Sequence, residues 1–348
     1  MKILIGTDAW TPQVNGVVRS LESLRHNVEK LGHQIDFITP KQFPSFPMPT
    51  YPEISLALAT KYSIRKFIDQ SYDHVHISTE GPIGLSLRSF CIKESRRFTT
   101  SYHTRFPEYI NTRFKIPVDV SYAALRRFHN AGAGTMVSTE SISNELQQRG
   151  FRRLFRWSRG VDHKIFSPEK AIDLGLPKPI FLYVGRLAVE KNIEAFLKLN
   201  LPGSKIVVGE GPAKSRLQAT FPDVKFMGLK VGAELATIYA SSDVFVFPSL
   251  TDTFGMVLLE AIACGCPVAA YPVMGPVDVI GNSGAGVLDE NLEHAAIAAL
   301  RISKSIPRDH ALTYTWEKSA EQFLDNVVLA KNIEMKNTLT NQNSFVFS

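Results

Sequence analysis

Cysteine is scarce in this chain: Cys91, Cys264 and Cys266 are the only three among 348 residues. An odd number in so long a chain does not make a disulfide framework, and such usage fits a reducing, cytoplasmic compartment. Cys264-Gly265-Cys266 has no partners at metal-ligand spacing, so both thiols are expected to be small core residues. No apolar run approaches the roughly 20 residues that a membrane-spanning helix needs. The opening Met1-Lys-Ile-Leu-Ile-Gly-Thr-Asp8 reads as a buried strand and a turn, too soon interrupted for a secretion signal. No Asp-x-Asp pair occurs anywhere, so a divalent ion bridging phosphates is not indicated and no metal or other cofactor is expected. Zinc-ligand spacing, helix-turn-helix and RNA-binding signatures are missing too, which sets nucleic acid aside as a partner. There is no internal repeat. The tail from Asn337, rich in Asn, Thr and Ser, is expected to fray.

What is present is ordinary globular material, 44% hydrophobic and 21% charged, enough for two domains with sizeable cores. The charge is unevenly spread. Residues 1–160 hold 22 Lys and Arg against 13 Asp and Glu, a net of +9, while the remainder holds 17 against 20, a net of −3. An anionic partner is expected for the first half: a membrane surface, an acidic substrate or nucleic acid.

Apolar runs alternate with helix-period segments throughout. Residues 2–6, 34–39, 73–78, 97–102 and 135–138 read as buried strands, with helical patterns at 16–31, 82–95, 118–129 and 140–150 between them. A second series has strands at 179–185, 205–209, 224–226, 244–248 and 267–271. Such alternation specifies an α/β fold of two tandem doubly wound parallel sheets. Pro168, Gly175, Pro177 and Pro179 punctuate the join, which places a hinge in 162–179. Two sheets of this kind bind ligand at the carboxyl ends of their strands, here in the cleft between domains.

Two segments carry the chemistry. In Asp243-Val-Phe-Val-Phe-Pro-Ser-Leu-Thr-Asp252-Thr-Phe254-Gly255-Met256-Val257-Leu-Leu-Glu260 a strand runs through a turn into a helix opened by Gly255. The first backbone N–H groups of that helix have no intrahelical partner and suit a diphosphate oxygen. Asp252 and Glu260 are acceptors at two depths, suited to sugar hydroxyls. The alternative is a capping carboxylate and a surface glutamate, but Glu260 sits among apolar residues, where a lone carboxylate is costly. In Tyr183-Val-Gly185-Arg186-Leu-Ala-Val-Glu-Lys191 two cations follow a strand end, a planar fork and a mobile point charge for a departing diphosphate. His103, at a strand end beside Tyr102, is open to two readings: a core hydrogen bond or a site group.

These segments resemble those of the family 4 retaining glycosyltransferases, with Val-Gly-Arg-Leu…Glu-Lys-Asn followed by an acidic-x7-Glu pattern. Asp8-Ala-Trp10-Thr-Pro12-Gln-Val-Asn15-Gly16-Val is similar to the family's first loop, Tyr102-His103-Thr104 to its histidine motif, and Gly160-Val161-Asp162 to the approach to its second domain. Val208-Gly209-Glu210-Gly211-Pro212 matches as well, and the likeness extends from residue 1 to about 333. The resemblance implies a GT-B architecture: an acceptor-binding domain over 1–165, a nucleotide-sugar domain over 166–312, a helix over 313–333 crossing back to the first domain, and a flexible tail over 334–348. It implies a nucleotide-sugar donor, UDP- or GDP-linked, approached closely by Gly16 and held by Gly185, Arg186, Lys191 and the 254–257 backbone (Phe254, Gly255, Met256, Val257), with Glu260 on the ribose. His103, Asp252, Arg186 and Lys191 become the catalytic set. Many members carry Glu where this chain has Asp252, so the carboxylate is set back by about one methylene.

For the acceptor side, Phe151-Arg152-Arg153-Leu-Phe155-Arg156-Trp157-Ser-Arg159 mixes cations with aromatics, 120–128 is amphipathic, and Lys61–Lys66 adds charge. Basic, aromatic-bearing helices suit an anionic bilayer. Arg152, Arg153, Arg156 and Trp157 are therefore expected at a membrane, the chain resting peripherally on its inner face. A solvated basic face with its aromatics turned inward is the competing reading. The segment from Tyr102 to Tyr109 also resembles the branch of the family that glycosylates lipids such as diacylglycerol, which implies a lipid acceptor; the alternatives are a soluble or polysaccharide acceptor, or a non-catalytic nucleotide-sugar or glycan-binding protein that kept the fold.

Overall fold

The structure, a computed structural model, describes residues 1–13, 15–48 and 51–333. The expected tail, 334–348, lies outside the described residues.

The first half builds β1 (Lys2–Gly6), α1 (Gly16–Lys30), β2 (Gln34–Ile38), β3 (Ser45–Met48), β4 (Tyr51–Ala57), α2 (Lys61–Arg65), β5 (His74–Ile77), α3 (Pro82–Lys93), β6 (Phe98–Tyr102), α4 (Phe106–Phe114), α5 (Val118–His129), β7 (Gly134–Val137), α6 (Glu140–Gln148) and β8 (Leu154–Arg156). Six of these strands form one parallel sheet in the order β2-β1-β5-β6-β7-β8, and β3 and β4 form an antiparallel hairpin beside it. The sequence pattern missed the hairpin and β8, because neither carries the continuous apolar run of a strand buried on both faces.

The second half supplies β9 (Ile180–Val184), α7 (Ile193–Leu197), β10 (Ser204–Val208), α8 (Lys214–Thr220), β11 (Lys225–Phe226), α9 (Gly232–Ser241), β12 (Val244–Phe247), α10 (Met256–Ala263), β13 (Val268–Ala270), α11 (Pro276–Val279), β14 (Gly286–Leu288), α12 (Leu292–Ala299), α13 (Ser305–Ala311) and α14 (Trp316–Asn332). Its sheet is parallel as well, ordered β11-β10-β9-β12-β13-β14. Every residue of Ile-Phe-Leu-Tyr-Val in β9 and Val-Phe-Val-Phe in β12 is buried, as a sheet covered on both faces requires.

Each sheet has a point where neighbouring strands send their chains to opposite faces, between β1 and β5 in the first and between β9 and β12 in the second. The loops leaving those strands open the crevices in which such sheets hold ligands. The last helix belongs to the first sheet. Ala320, Phe323, Leu324 and Val327 of α14 join Ile3, Ile5, Leu21 and Leu24 in one buried cluster, and Asn326 donates to the Arg156 carbonyl on β8 at 2.7 Å. The chain thus passes between the domains twice.

Candidate active site

The second-domain wall is built from the loops after β9 and β12. Gly185 and Arg186 stand at the end of β9, where the Tyr183 hydroxyl donates to the Arg186 carbonyl at 2.9 Å and fixes the turn. Lys191 and Asp252, 61 positions apart, meet at 2.5 Å (Nζ to Oδ1). Burial disfavours the Lys191 ammonium, but Asp252 beside it, with Tyr109 and Tyr183, outweighs that and holds its pKa above the ordinary lysine value. Asp252 spends one oxygen on this pair. Its other oxygen, Oδ2, and the Ser249 hydroxyl are buried with no protein partner among the described residues. A buried acceptor left in that state is costly, and a sugar hydroxyl is a group that would satisfy it.

Gly255 precedes α10 with φ of 84°, a left-handed conformation that favours glycine, and no side chain caps the helix start. The amides of the first turn are therefore open to an anion. One turn on, Glu260 is 2% exposed. Tyr239 donates its hydroxyl to Glu260 Oε2 at 3.3 Å, and Arg19 reaches across from the first domain to Oε1 at 2.5 Å. Burial pushes the Glu260 carboxyl up, with Arg19 and Tyr239 opposing it.

The first-domain wall begins at α1, capped by the Asn15 side chain, which accepts from the amides of Val17 and Val18 at 3.0 Å each. A Cβ on Gly16 would stand 3.3 Å from Met256 Cγ. The starts of α1 and α10 therefore face one another across the domain boundary, and glycine permits the close approach. Next in the wall is His103, just past β6. Its Nε2 meets Ser78 Oγ at 3.1 Å and its Nδ1 meets Arg159 Nη2 at 3.0 Å. The second domain holds this segment directly, for the Thr253 hydroxyl donates to the His103 carbonyl at 2.7 Å.

Gly16, His103, Asp252, the 254–257 backbone and Glu260 are thus brought to the domain boundary together, with Arg186 and Lys191 on the adjoining loop. The Phe254 side chain is buried against Tyr314, so the backbone is what it offers. Asp8 caps α3, accepting from the Ile83 amide at 2.8 Å and from the Gly84 amide at 3.3 Å. Cys264 and Cys266 are buried and free, and burial pushes the Cys264 thiol up to about 12.

The membrane expectation for residues 151–159 does not survive the structure. Trp157 is fully buried, packed 5.1 Å from the Phe323 ring and donating to Ser319. Arg153 donates to the carbonyls of Asn130 and Gly132, and Arg156 is half-buried beside Glu140, 3.6 Å away. Only Arg152 of the four is exposed. The physical reason is that the segment contains β8, whose alternation turns Phe155 and then Trp157 under α14.

Sequence reasoning missed Arg19, Tyr239, Ser78 and Thr253, and it counted Arg159 as a surface cation. Arg19 did leave a signal: it is a cation close to a helix N-terminus, where the dipole favours acid.

Residues 14–165 match the family described as Glycosyltransferase Family 4, and residues 178–305 match Glycosyl transferases group 1. The chain is 29% identical over 316 residues to the GDP-mannose-dependent alpha-mannosyltransferase of Mycobacterium tuberculosis, an alignment covering 83% of each chain. It is 27% identical over 323 residues to the alpha-monoglucosyldiacylglycerol synthase of Acholeplasma laidlawii, covering 77% of this chain and 79% of that one. Among solved structures, Anabaena HepE in complex with UDP and glucose shares the fold at TM-score 0.69 and 15% identity, covering 94% of this chain and 99% of that chain.

Proposed function

This chain belongs to the family 4 glycosyltransferases of the GT-B fold, and from that premise we propose a retaining, metal-independent enzyme that moves a hexose or hexuronic acid from a UDP- or GDP-linked donor to a lipid hydroxyl. The observation that carries the donor half is the boundary cluster itself. An uncapped helix start faces Gly16 where the domains meet, with a buried carboxylate paired to Arg19 and a part-buried one paired to Lys191.

On this reading the diphosphate lies on the α10 amides and Arg186. Lys191 is tied to Asp252, and the two address the phosphate and the sugar as a pair. Glu260 takes the ribose hydroxyls, sharing them with Arg19. The bond from the sugar C1 to the diphosphate oxygen breaks as the acceptor oxygen bonds to C1 on the same face, and the acceptor's proton passes to the leaving phosphate. The protein supplies position and electrostatic stabilisation of the leaving group.

Two things support a lipid acceptor such as diacylglycerol: the name of the Acholeplasma relative and the surface of the first domain. Phe114 is 59% exposed, Val120 61% and Tyr62 73%, with Lys61, Lys66 and Lys115 exposed nearby in sequence. Among the described residues no helix is long and apolar enough to cross a membrane. Attachment would be peripheral, on the inner face.

The test is a transfer assay with UDP- and GDP-sugars against diacylglycerol micelles, run with and without EDTA. The expected result is an α-linked glycolipid from one donor class, with turnover kept in EDTA. Donor hydrolysis or binding without transfer to any lipid would sink the lipid-acceptor reading. Activity lost in EDTA and restored by Mg²⁺ or Mn²⁺ would sink the metal-free one.

A further inference from the structure

Arg159 lies in the link between the domains and is 5% exposed. Its Nη1 donates to the Trp157 carbonyl at 2.6 Å and the Ser158 carbonyl at 3.1 Å, and its guanidinium carbon stands 4.2 Å from the Trp157 ring centroid. Burial, then Arg156, lower its pKa to about 9, so it is still a cation at neutral pH. No carboxylate pairs with it among the described residues. A buried cation without a counter-charge is costly, so its placement calls for a reason.

That reason is at Nη2, which meets His103 Nδ1 at 3.0 Å. A guanidinium only donates hydrogen bonds. The Nδ1 it touches must therefore present a lone pair. An imidazolium would set N–H against N–H, so the ring is neutral and its one proton is on Nε2. From there it is donated to Ser78 Oγ at 3.1 Å. Burial, followed by Arg159, His76 on β5 and His129 on α5, keeps the imidazole well below the ordinary histidine range. Trp157 packs against the ring at 5.8 Å, and Thr253 holds the backbone carbonyl.

We propose that Arg159 is a positioning residue that locks His103 as the neutral Nε2–H tautomer, so that His103 serves the sugar site as a hydrogen-bond donor and never as a base. The sugar part of this statement rests on the glycosyltransferase reading, but the tautomer does not. A hydroxyl of the transferred sugar can accept the Nε2–H in exchange for Ser78. An acceptor hydroxyl that must lose a proton finds no lone pair there. The C1–diphosphate bond breaks, the C1–acceptor bond forms, and the proton goes to the leaving phosphate oxygen.

The experiment uses the full chain labelled with 15N-histidine, the His103 signals being identified by their absence in His103→Gln. The expected spectrum shows an unprotonated Nδ1 and a protonated Nε2, unchanged between pH 8 and 5.5. In Arg159→Met the lone pair on Nδ1 loses its donor, and the ring should populate the Nδ1–H tautomer, seen as a shift of both nitrogen signals. Arg159→Lys, which keeps a donor, should preserve the wild-type pattern and serves if the methionine variant does not fold. In turnover, Arg159→Met should lose roughly 10-fold in kcat with little change in donor KM, the scale of one misplaced hydrogen bond. The double variant with His103→Ala should be no slower than His103→Ala alone. A proton on Nδ1 in the wild type, or losses that multiply in the double variant, would overturn the proposal. If no nucleotide sugar is turned over, the glycosyltransferase reading has failed, and the spectra still decide the tautomer.

Discussion

Three histidines of the first domain, His74 and His76 buried and His103 half-buried, are held in hydrogen bonds with Thr99, Ser101, Ser78 and Arg159. Burial lowers all three, His74 to about 3. Below pH 6.5 the unfolded chain therefore binds protons that the native state refuses. Stability is full above about 6.5 and is lost as pH falls below it, at no more than roughly 1.4 kcal/mol per unit for each group. Between pH 7.5 and 5.5 the three together should cost up to about 4 kcal/mol. Asp8 and Glu260, raised chiefly by burial, act in the opposite sense and will trim that loss. Urea unfolding at the two pH values checks it, and a midpoint that holds or rises at 5.5 would mean the histidines are not held neutral. That Arg186, Lys191 and Asp252 follow strand ends, and that Glu260 lies in the helix after Gly255, was readable from the sequence. Their partnerships were not. Arg19 and Glu260 stand 241 positions apart, and no local pattern links them.

At the scale of elements, the two helix starts that face each other give a paired test. Gly255 needs its left-handed φ of 84°, and a Cβ there would meet Leu258 Cδ1 at 2.9 Å. Gly255→Ala should therefore cost about 1–2 kcal/mol of stability and weaken nucleotide binding as the amides shift. Gly16→Ala has only the flexible Met256 side chain against it, at 3.3 Å. It should unfold near the wild-type midpoint yet raise the donor KM. Denaturation curves and donor titrations separate the two, and equal behaviour would argue against a donor held between α1 and α10. Parallel strands were legible because burial on both faces writes a continuous apolar run. The segment 151–159 misled because a short edge strand flanked by arginines, with aromatics among them, looks like an amphipathic surface. For α14, an apolar stripe announces a helix with one buried face but says nothing about which domain covers it.

For the molecule as a whole, the charge asymmetry and the exposed apolar side chains of α2, α4 and α5 lie in the same half. Full-length protein should sediment with liposomes containing phosphatidylglycerol, ignore zwitterionic ones, and be released by salt as screening shortens below about 10 Å. Replacing Phe114 and Val120 together by Asp should weaken that binding without loss of fold, since both are largely exposed. Indifference of the wild type to anionic liposomes at low ionic strength would end the membrane reading. The return of α14 to the first sheet has a consequence of a different kind, in the order of events at the ribosome. A chain emerging N-terminus first exposes β1, α1 and β8 early, yet Phe323 and Val327, which complete their core, come nearly last. The second domain can close its own core first. A chain truncated just after Thr315 and released should then carry a protease-resistant second domain beside a first domain still open on one face. The half made first is finished last, and until then its apolar sheet face is the surface a chaperone would meet.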